Sequence, residues 1–277
     1  MIIALALASA VVFGAGDFCG GAASRRGGPL RVPLVSLPTG LVMLLVVALL
    51  GGGSHPAALG WGTASGVAGG AGLLVFYRAL ADGPMSVVAP VSGLMAAVIP
   101  AAAGVASGDH LSYAAFAGIT LCLVAICFVS MEKDTGSVRR WRGPALAVFA
   151  GTGFGGFFVL IQHGDDGTLW PLVMSKSVGV LMVVVAAAVA RQGPTPLLRD
   201  RITLGVAVLA GTLDVLGNAL FVLASRAGML SVAGVLSSLY PASTVLLARL
   251  VYGERLRPIQ RLGLVVAVAG VGLVTTG

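Results

Sequence analysis

Charged residues are scarce in this chain. Asp, Glu, Lys and Arg make up 10% of its 277 residues, whereas 57% are hydrophobic; an ordinary soluble domain has about 25% charged residues. This composition excludes both a soluble globular domain and a disordered chain. The 41 glycines show no three-residue period and lie inside apolar stretches, which is typical of close helix contacts in a bilayer.

Cysteines are few, and recognisable catalytic motifs are absent. Cys19, Cys122 and Cys127 fall within apolar runs without metal-ligand spacing to the three histidines, so we predict free thiols and no metal site. The chain contains no Gly-x-x-x-x-Gly-Lys phosphate loop, no His-Glu-x-x-His and no Gly-x-Ser-x-Gly. We therefore predict no cofactor and no enzyme activity, and ATP is not the direct energy source of this chain.

Long apolar runs dominate the sequence. A bilayer core needs about 20 mostly apolar residues per helix, and turns rich in Gly, Pro and Asp separate ten such runs. The N-terminus lacks the basic region of a signal peptide, so the first run is expected to be a retained helix. We predict an all-α polytopic membrane protein with ten transmembrane helices. They lie near 2–22, 32–52, 60–80, 85–106, 111–131, 144–163, 169–190, 202–224, 229–251 and 259–276.

The basic residues predict the orientation of these spans. Of the 17 Lys and Arg residues, all but Lys176 and Arg226 fall at the breaks that follow the odd-numbered spans. The net charge of +7 is therefore a topology signal rather than a nucleic-acid-binding face. Because Lys and Arg of short loops stay in the cytoplasm, both termini are expected outside.

The two halves of the chain are related by a shift of 145 residues. The shift aligns Ser86 with Ser231, Ser92 with Ser237, Gly108-Asp109 with Gly253-Glu254, and Gly118 with Gly263. The first helices match through Phe13-Gly14 and Phe154-Gly155. We predict one repeat over 1–132 and a second over 143–277, joined by a basic linker, 133–142. Because five spans is an odd number, the halves must be inverted relative to each other, as in many secondary transporters.

Several segments resemble a known family. They are Tyr77-Arg-Ala-Leu-Ala-Asp-Gly-Pro-Met-Ser-Val-Val-Ala-Pro90, Leu239-Tyr-Pro241, Val251-Tyr-Gly-Glu-Arg-Leu256 and the last helix with Gly263. Together they resemble the two repeats of an EamA-type transporter of the drug/metabolite transporter superfamily, over nearly the whole chain. In the first repeat, Asp109-His110 stands where Glu-Arg is expected.

The resemblance implies ten helices with a central cavity between the halves. It further implies export or exchange of metabolites, amino acids or drugs across the bacterial inner membrane. Members of the family usually have both termini in the cytoplasm, which is opposite to the orientation that the basic residues predict.

Charged and amide side chains inside the spans are candidates for the site, since a charge at membrane depth costs about 2.5–3.5 kcal/mol on insertion scales. Asp214 and Asn218 share one face of span 8 and are expected either to bind a substrate amine or proton, or to make a structural hydrogen bond. Asp17 either belongs to the site or pairs with Arg25 near the interface. Lys176 either reaches an interface or pairs with Asp17 or Asp214.

Aromatic residues and prolines complete the predicted site. Phe13 and Tyr240 are expected to line the cavity. Pro90 and Pro241 fall early in equivalent helices, where a proline frees a carbonyl and favours a broken helix; a passive kink is the alternative.

These features predict a secondary transporter that moves a small metabolite or drug-like solute, in the direction of export, by alternating access between the repeats. The alternatives are an intramembrane enzyme and a channel-like facilitator without proton coupling. The expected partners are the small-molecule solute, the lipid bilayer and, as a candidate coupling ion, the proton. No nucleic acid is expected, and the protein is expected to be a monomer or a homodimer.

Overall fold

The computed structural model describes residues 1–28, 30–50, 53, 55–82, 85–109, 112–130, 142–164, 167–252 and 257–276. Nearly all of these residues are helical. The helices are α1 (Ile2–Gly27), α2 (Pro33–Leu50), α3 (Pro56–Asp82), α4 (Met85–Ala106), α5 (Tyr113–Ser130), α6 (Arg142–His163), α7 (Trp170–Val189), α8 (Thr195–Arg199), α9 (Arg201–Arg226), α10 (Leu230–Ser237), α11 (Tyr240–Tyr252) and α12 (Pro258–Thr276).

The helices confirm the predicted all-α membrane fold. Nine of the ten predicted spans correspond to one helix each, and the ninth span is divided into α10 and α11. Within the described residues, six helices are long and apolar enough to cross a membrane, and shorter apolar helices accompany them. Within the described residues, the ten predicted spans include neither the division of the ninth span nor the five-residue helix α8 in the break before α9.

The outer surface of the bundle is apolar. On α2, Val46 and Leu49 are exposed, and on α12 so are Val265 and Val268, although all four are large hydrophobic residues. Such a surface is unfavourable in water but is the expected one toward lipid tails. Hydrophobic residues therefore lie on the outer surface of the molecule as well as in its core.

The packing of the helices shows an inverted repeat. Helix α3 packs on α6 and α7, and its counterpart α9 packs on α1 and α2. In the same way α4 packs on α6, while α10 and α11 pack on α1, and the two last helices, α5 and α12, pack on each other. These contacts between the halves are thus related in pairs by an approximate two-fold axis, which is the arrangement of inverted-repeat transporters.

Glycines allow the closest of these helix crossings. A Cβ atom at Gly153 on α6 would lie 2.7 Å from the Cα of Gly72 on α3. A Cβ atom at Gly211 on α9 would lie 2.8 Å from the carbonyl carbon of Ser36 on α2. Backbone atoms therefore meet directly at both crossings, and only small residues fit there.

Two of the basic breaks, those after α1 and after α7, lie at one end of the molecule in the part of the chain that the structure describes. Gly27, at the end of α1, lies against Leu197 of α8, and Leu197 is buried with Ala23 and Val32. The breaks after α1 and after α7 are therefore neighbours. At the opposite end, the start of α1 contacts the turn between α9 and α10, where Ile2 lies against Gly228.

Asp200 caps α9 at the basic end. Its carboxylate accepts hydrogen bonds from the backbone N–H of Ile202 (3.1 Å) and of Thr203 (3.3 Å) and from the Thr203 hydroxyl. The hydroxyl contributes most to holding the pKa of Asp200 below its usual value. A lowered pKa means that the cap stabilises the folded state at neutral pH and is lost as the pH falls through that lowered value.

The orientation predicted from the basic residues is testable. Helix α1 runs from the end where Ile2 lies against Gly228 to the end that holds the breaks after α1 and after α7, so its N-terminus lies opposite to those two breaks. Because Lys and Arg of short loops stay in the cytoplasm, we expect both termini outside. A reporter enzyme that folds only outside the cytoplasm, fused after Gly277, is expected to be active; activity of a cytoplasmic reporter at that position would contradict the orientation.

Candidate functional site

Asp214 and Asn218 lie at the centre of α9. This helix has 26 residues and is about 39 Å long, so Asp214 is about 20 Å from either end. The amide nitrogen of Asn218 donates to the backbone carbonyl of Asp214 (2.7 Å) and to its carboxylate oxygen Oδ1 (3.2 Å). Asn218 is buried and therefore fixes the orientation of a carboxylate at the middle of the membrane.

Lys176 on α7 forms an ion pair with this carboxylate. Its ammonium nitrogen contacts Oδ2 of Asp214, the oxygen that Asn218 leaves free. The Lys176 side chain is 11% exposed and that of Asp214 is 37% exposed, so the pair is open on the side of the aspartate. Of the two partners predicted for Lys176, Asp17 and Asp214, the structure shows the ion pair with Asp214.

Asp17 on α1 lies at the same depth. The preceding residue, Gly16, is against α9, where a Cβ atom would be 3.5 Å from the backbone nitrogen of Asp214. Asp17 therefore lies near Asp214 in depth, whereas the predicted alternative, a pair with Arg25, involves a side chain outside the described residues. Its side chain is exposed and lies within electrostatic range of both Asp214 and Tyr240. Among the described residues, none donates a hydrogen bond to its carboxylate or pairs with it.

Aromatic rings form the wall next to these charges. Phe13 lies one turn before Asp17 on α1, and its ring centroid is 6.5 Å from that of Tyr240 and 6.3 Å from that of Phe158. Phe158 in turn stacks on Phe221 with a centroid distance of 4.5 Å. Phe13 and Tyr240 are half-buried, while Phe158 and Phe221 are buried. An apolar surface thus adjoins the carboxylates directly.

Tyr240 follows a break in the ninth span. Helix α10 ends at Ser237 and α11 begins at Tyr240. Because Pro241 has no N–H, the carbonyl of Ser237 has no helical donor. The Ser238 hydroxyl is buried and has no hydrogen-bond partner among the residues that the structure describes. Backbone and side-chain polar groups are therefore available at this break.

The equivalent break at Pro90 does not occur. Helix α4 continues without interruption from Met85 to Ala106, so the prediction that Pro90 breaks a helix is wrong. The physical reason is the position of Pro90 near the start of α4. A proline there removes the N–H donor of a single carbonyl, and that carbonyl lies in the first turn of the helix.

The two carboxylates of the cluster have no acidic counterparts at the equivalent positions of the other repeat. The offset that aligns Phe13 with Phe154 places Phe158 at the position equivalent to Asp17. The 145-residue shift places Gly69 at the position equivalent to Asp214. The site therefore has a charged side and an aromatic side, although the helices around it are related by symmetry. Phe158 and Phe221 were not predicted as site residues, and the alignment of Asp17 with a phenylalanine is the signal that identifies Phe158.

The predicted site residues thus lie together, with two exceptions. Phe13, Asp17, Lys176, Asp214, Asn218 and Tyr240 come from α1, α7, α9 and α11 and form one cluster. Pro90 does not break its helix, and of Pro241 only the helix break is described. Among the described residues, no three His, Cys, Asp or Glu side chains are close enough to hold a metal ion.

Known proteins support this architecture. The family model for the EamA-like transporter family matches residues 1–131 and 141–276. No curated protein matches the chain. Among solved structures, one described as "Crystal structure of protein" is similar over 98% of this chain and 96% of its own, with a TM-score of 0.77 and 15% sequence identity. At that identity the likeness concerns the fold alone. The two matched segments cover nearly the whole sequence, and the chain therefore belongs to the EamA-like transporter family, within the drug/metabolite transporter superfamily.

Proposed function

We propose that this protein is a secondary transporter that exports a small metabolite or drug-like solute across the bacterial inner membrane by alternating access. The observation that carries the proposal is the cluster of Asp17, Lys176, Asp214 and Asn218 at the centre of the bundle. Charges at this depth are costly, and secondary transporters hold their solute near the midplane between inverted repeats. The expected partners are the solute and the lipid bilayer, with no nucleic acid, and the transporter acts as a monomer or a homodimer.

The cluster is divided between the two halves of the protein. Asp17 belongs to the first repeat, whereas Lys176, Asp214, Asn218 and Tyr240 belong to the second. A solute that contacts Asp17 and Asp214 together therefore joins the halves. When the halves move relative to each other, these contacts change, which couples binding of the solute to the position of the halves.

Protons are the coupling ion that we propose. Among the described residues, Asp17 is exposed in the cluster and has no ion-pair partner, whereas Asp214 is held by Lys176. In the same part of the chain, the charged and titratable groups near Asp17 are Asp214 on α9, with Lys176 bound to it, and Tyr240 on α11. A proton on Asp17 would remove the unpaired charge from the membrane when the solute leaves.

Uptake into vesicles free of nucleotide tests the proposal. A thermal-shift screen of the purified protein against amines, amino acids, nucleobases and amphipathic drugs first identifies a solute that binds. That solute is expected to enter proteoliposomes without ATP, and an imposed pH gradient is expected to drive its accumulation. Protein-free liposomes are the control.

Two results would contradict parts of the proposal. A solute that binds the protein but never enters the vesicles would exclude transport. Uptake that does not depend on the pH gradient would exclude proton coupling and favour a facilitator.

A further inference from the structure

The charges of the cluster do not balance. Lys176 and Asp214 neutralise each other in their ion pair, and Asp17 has no ion-pair partner among the described residues. With both carboxylates ionised, the described part of the cluster therefore has a net charge of −1. In a medium of low dielectric constant such a charge needs either a proton or a counter-charge. A cation in contact with Asp17 would supply it.

The surroundings of Asp17 suit an organic cation. Phe13 lies one turn before Asp17 on α1, and Tyr240 lies within electrostatic range of Asp17; both rings are half-buried, and rings of this kind attract cations over their faces. Phe158 continues the apolar wall from Phe13. A solute with an ammonium group at one end and an aromatic or apolar body at the other matches both sides of the site.

Anions and zwitterions match it less well. An anionic group would meet two carboxylates and only one cation. That cation, Lys176, is engaged with Asp214 and is 11% exposed. A carboxylate on the solute would have to separate this ion pair, which leaves Asp214 without its partner at membrane depth. An amino acid therefore gains contact at its ammonium end but is penalised at its carboxylate end.

We infer that the solute is an amphipathic organic cation with one positive charge, bound through Asp17, with its apolar body against Phe13 and Phe158. The inference rests on the proposed transport function and specifies the class of its solute. It makes Asp17 the residue that selects the charge of the solute, whereas the aromatic wall selects its shape.

Matched ligands that differ only in charge test the inference. Phenethylamine is a cation, phenylalanine a zwitterion, 3-phenylpropanoate an anion and 2-phenylethanol neutral, all on the same phenyl body; tryptamine, tryptophan and indole-3-propanoate repeat the series on an indole. Binding is measured by calorimetry on the purified protein at pH 7. At least one of the two amines is expected to bind at least about tenfold more tightly than its zwitterionic and anionic analogues. The anion lacks the ammonium group that donates to Asp17, and the carboxylate of the zwitterion would have to separate the Lys176–Asp214 ion pair.

Two Asp→Asn variants distinguish the site from a general effect of charge. Asp17→Asn is expected to weaken binding of the amine at least about tenfold. Asp200→Asn, which removes a carboxylate at the basic end of the protein and leaves a side chain that still caps α9, is expected to bind like the wild type. Equal loss in both variants, or unchanged binding in Asp17→Asn, would overturn the assignment of Asp17.

Failure of the inference is separable from failure of the transport proposal. If the zwitterion or the anion binds more tightly than the amine, or if none of the ligands binds, the inferred solute class is wrong. Uptake of whichever solute the thermal-shift screen identifies would still support transport. Only absence of uptake for every bound solute contradicts the proposed function itself.

Discussion

Asp214→Asn is expected to abolish uptake of the solute and to lower the stability of the protein. The substitution removes the partner of Lys176 and leaves its ammonium group unpaired at membrane depth. Breaking a fully buried ion pair costs about 3–5 kcal/mol. The cost here is smaller because 37% of the Asp214 side chain is exposed. Uptake is expected to fall by more than about tenfold, the effect of losing about 1.4 kcal/mol in the rate-limiting step.

A charge exchange separates the structural role of the pair from its role in transport. The double variant Lys176→Asp/Asp214→Lys keeps both charges and their contact. Its melting temperature is therefore expected to recover toward the wild-type value. Its uptake is not expected to recover, because the carboxylate has moved from α9 to α7 and Asn218 no longer orients it. Melting temperature and uptake are measured on the same preparations, so that each variant is compared at an equal amount of folded protein.

Restoration of uptake by the exchange would contradict this assignment. In that case the pair would only hold α7 and α9 in position, and the direction of the ion pair would not matter for the solute. The single variants Lys176→Gln and Asp214→Asn complete the cycle, which gives the coupling energy between the two residues.

The apolar spans could be predicted from the sequence because length and hydropathy alone determine whether a helix crosses the bilayer. The inverted arrangement also follows from the sequence, since two consecutive repeats with an odd number of spans must enter the membrane from opposite sides. The division of the ninth span required the structure. Pro90 and Pro241 lie in aligned helices, although the 145-residue shift aligns Pro241 with Ala96 and not with Pro90. Only the segment before Pro241 is interrupted. The consequence of a proline depends on where the helix around it begins, which the local sequence does not specify.

The charged residues of the site could be predicted because a bilayer makes every internal charge costly. The pairing of these charges could not be predicted, because Asp17 and Asp214 were equal candidates for Lys176 as long as the distances between α1, α7 and α9 were unknown. The aromatic wall was only partly predictable. Phe158 and Phe221 resemble ordinary lipid-facing or core residues in the sequence. Phe158 is related to the site by its alignment with Asp17 and by its contact with Phe13, and Phe221 by its contact with Phe158.

Gly211→Ala is expected to destabilise the protein and to reduce transport, although it adds only one methyl group. The new Cβ atom would overlap the carbonyl group of Ser36 on α2, lying 2.8 Å from its carbonyl carbon. Backbone atoms cannot move aside as a side chain can, so α2 and α9 would have to separate. Overpacking of this kind costs about 1–3 kcal/mol, which corresponds to a fall in melting temperature of roughly 2–12 °C for a protein of this size.

Gly205→Ala is the matched control on the same helix. A Cβ atom at Gly205 meets nothing within 4 Å, and in a helix alanine is more favourable than glycine by about 0.5–1 kcal/mol. Its melting temperature is expected to stay equal or to rise slightly, as measured by thermal unfolding in detergent. If Gly211→Ala is as stable as Gly205→Ala, the close crossing of α2 and α9 contributes nothing to the fold.

The effect of Gly211→Ala on transport follows from the position of Asp214 one turn later on α9. Separation of α9 from α2 also moves Asp214 relative to Lys176, because α7 packs on α2 as well. The variant should therefore lose uptake beyond what its lower amount of folded protein explains, and its affinity for the solute should fall. Normal uptake per folded molecule would show that the ion pair adapts to this displacement, and the close crossing would then serve stability alone.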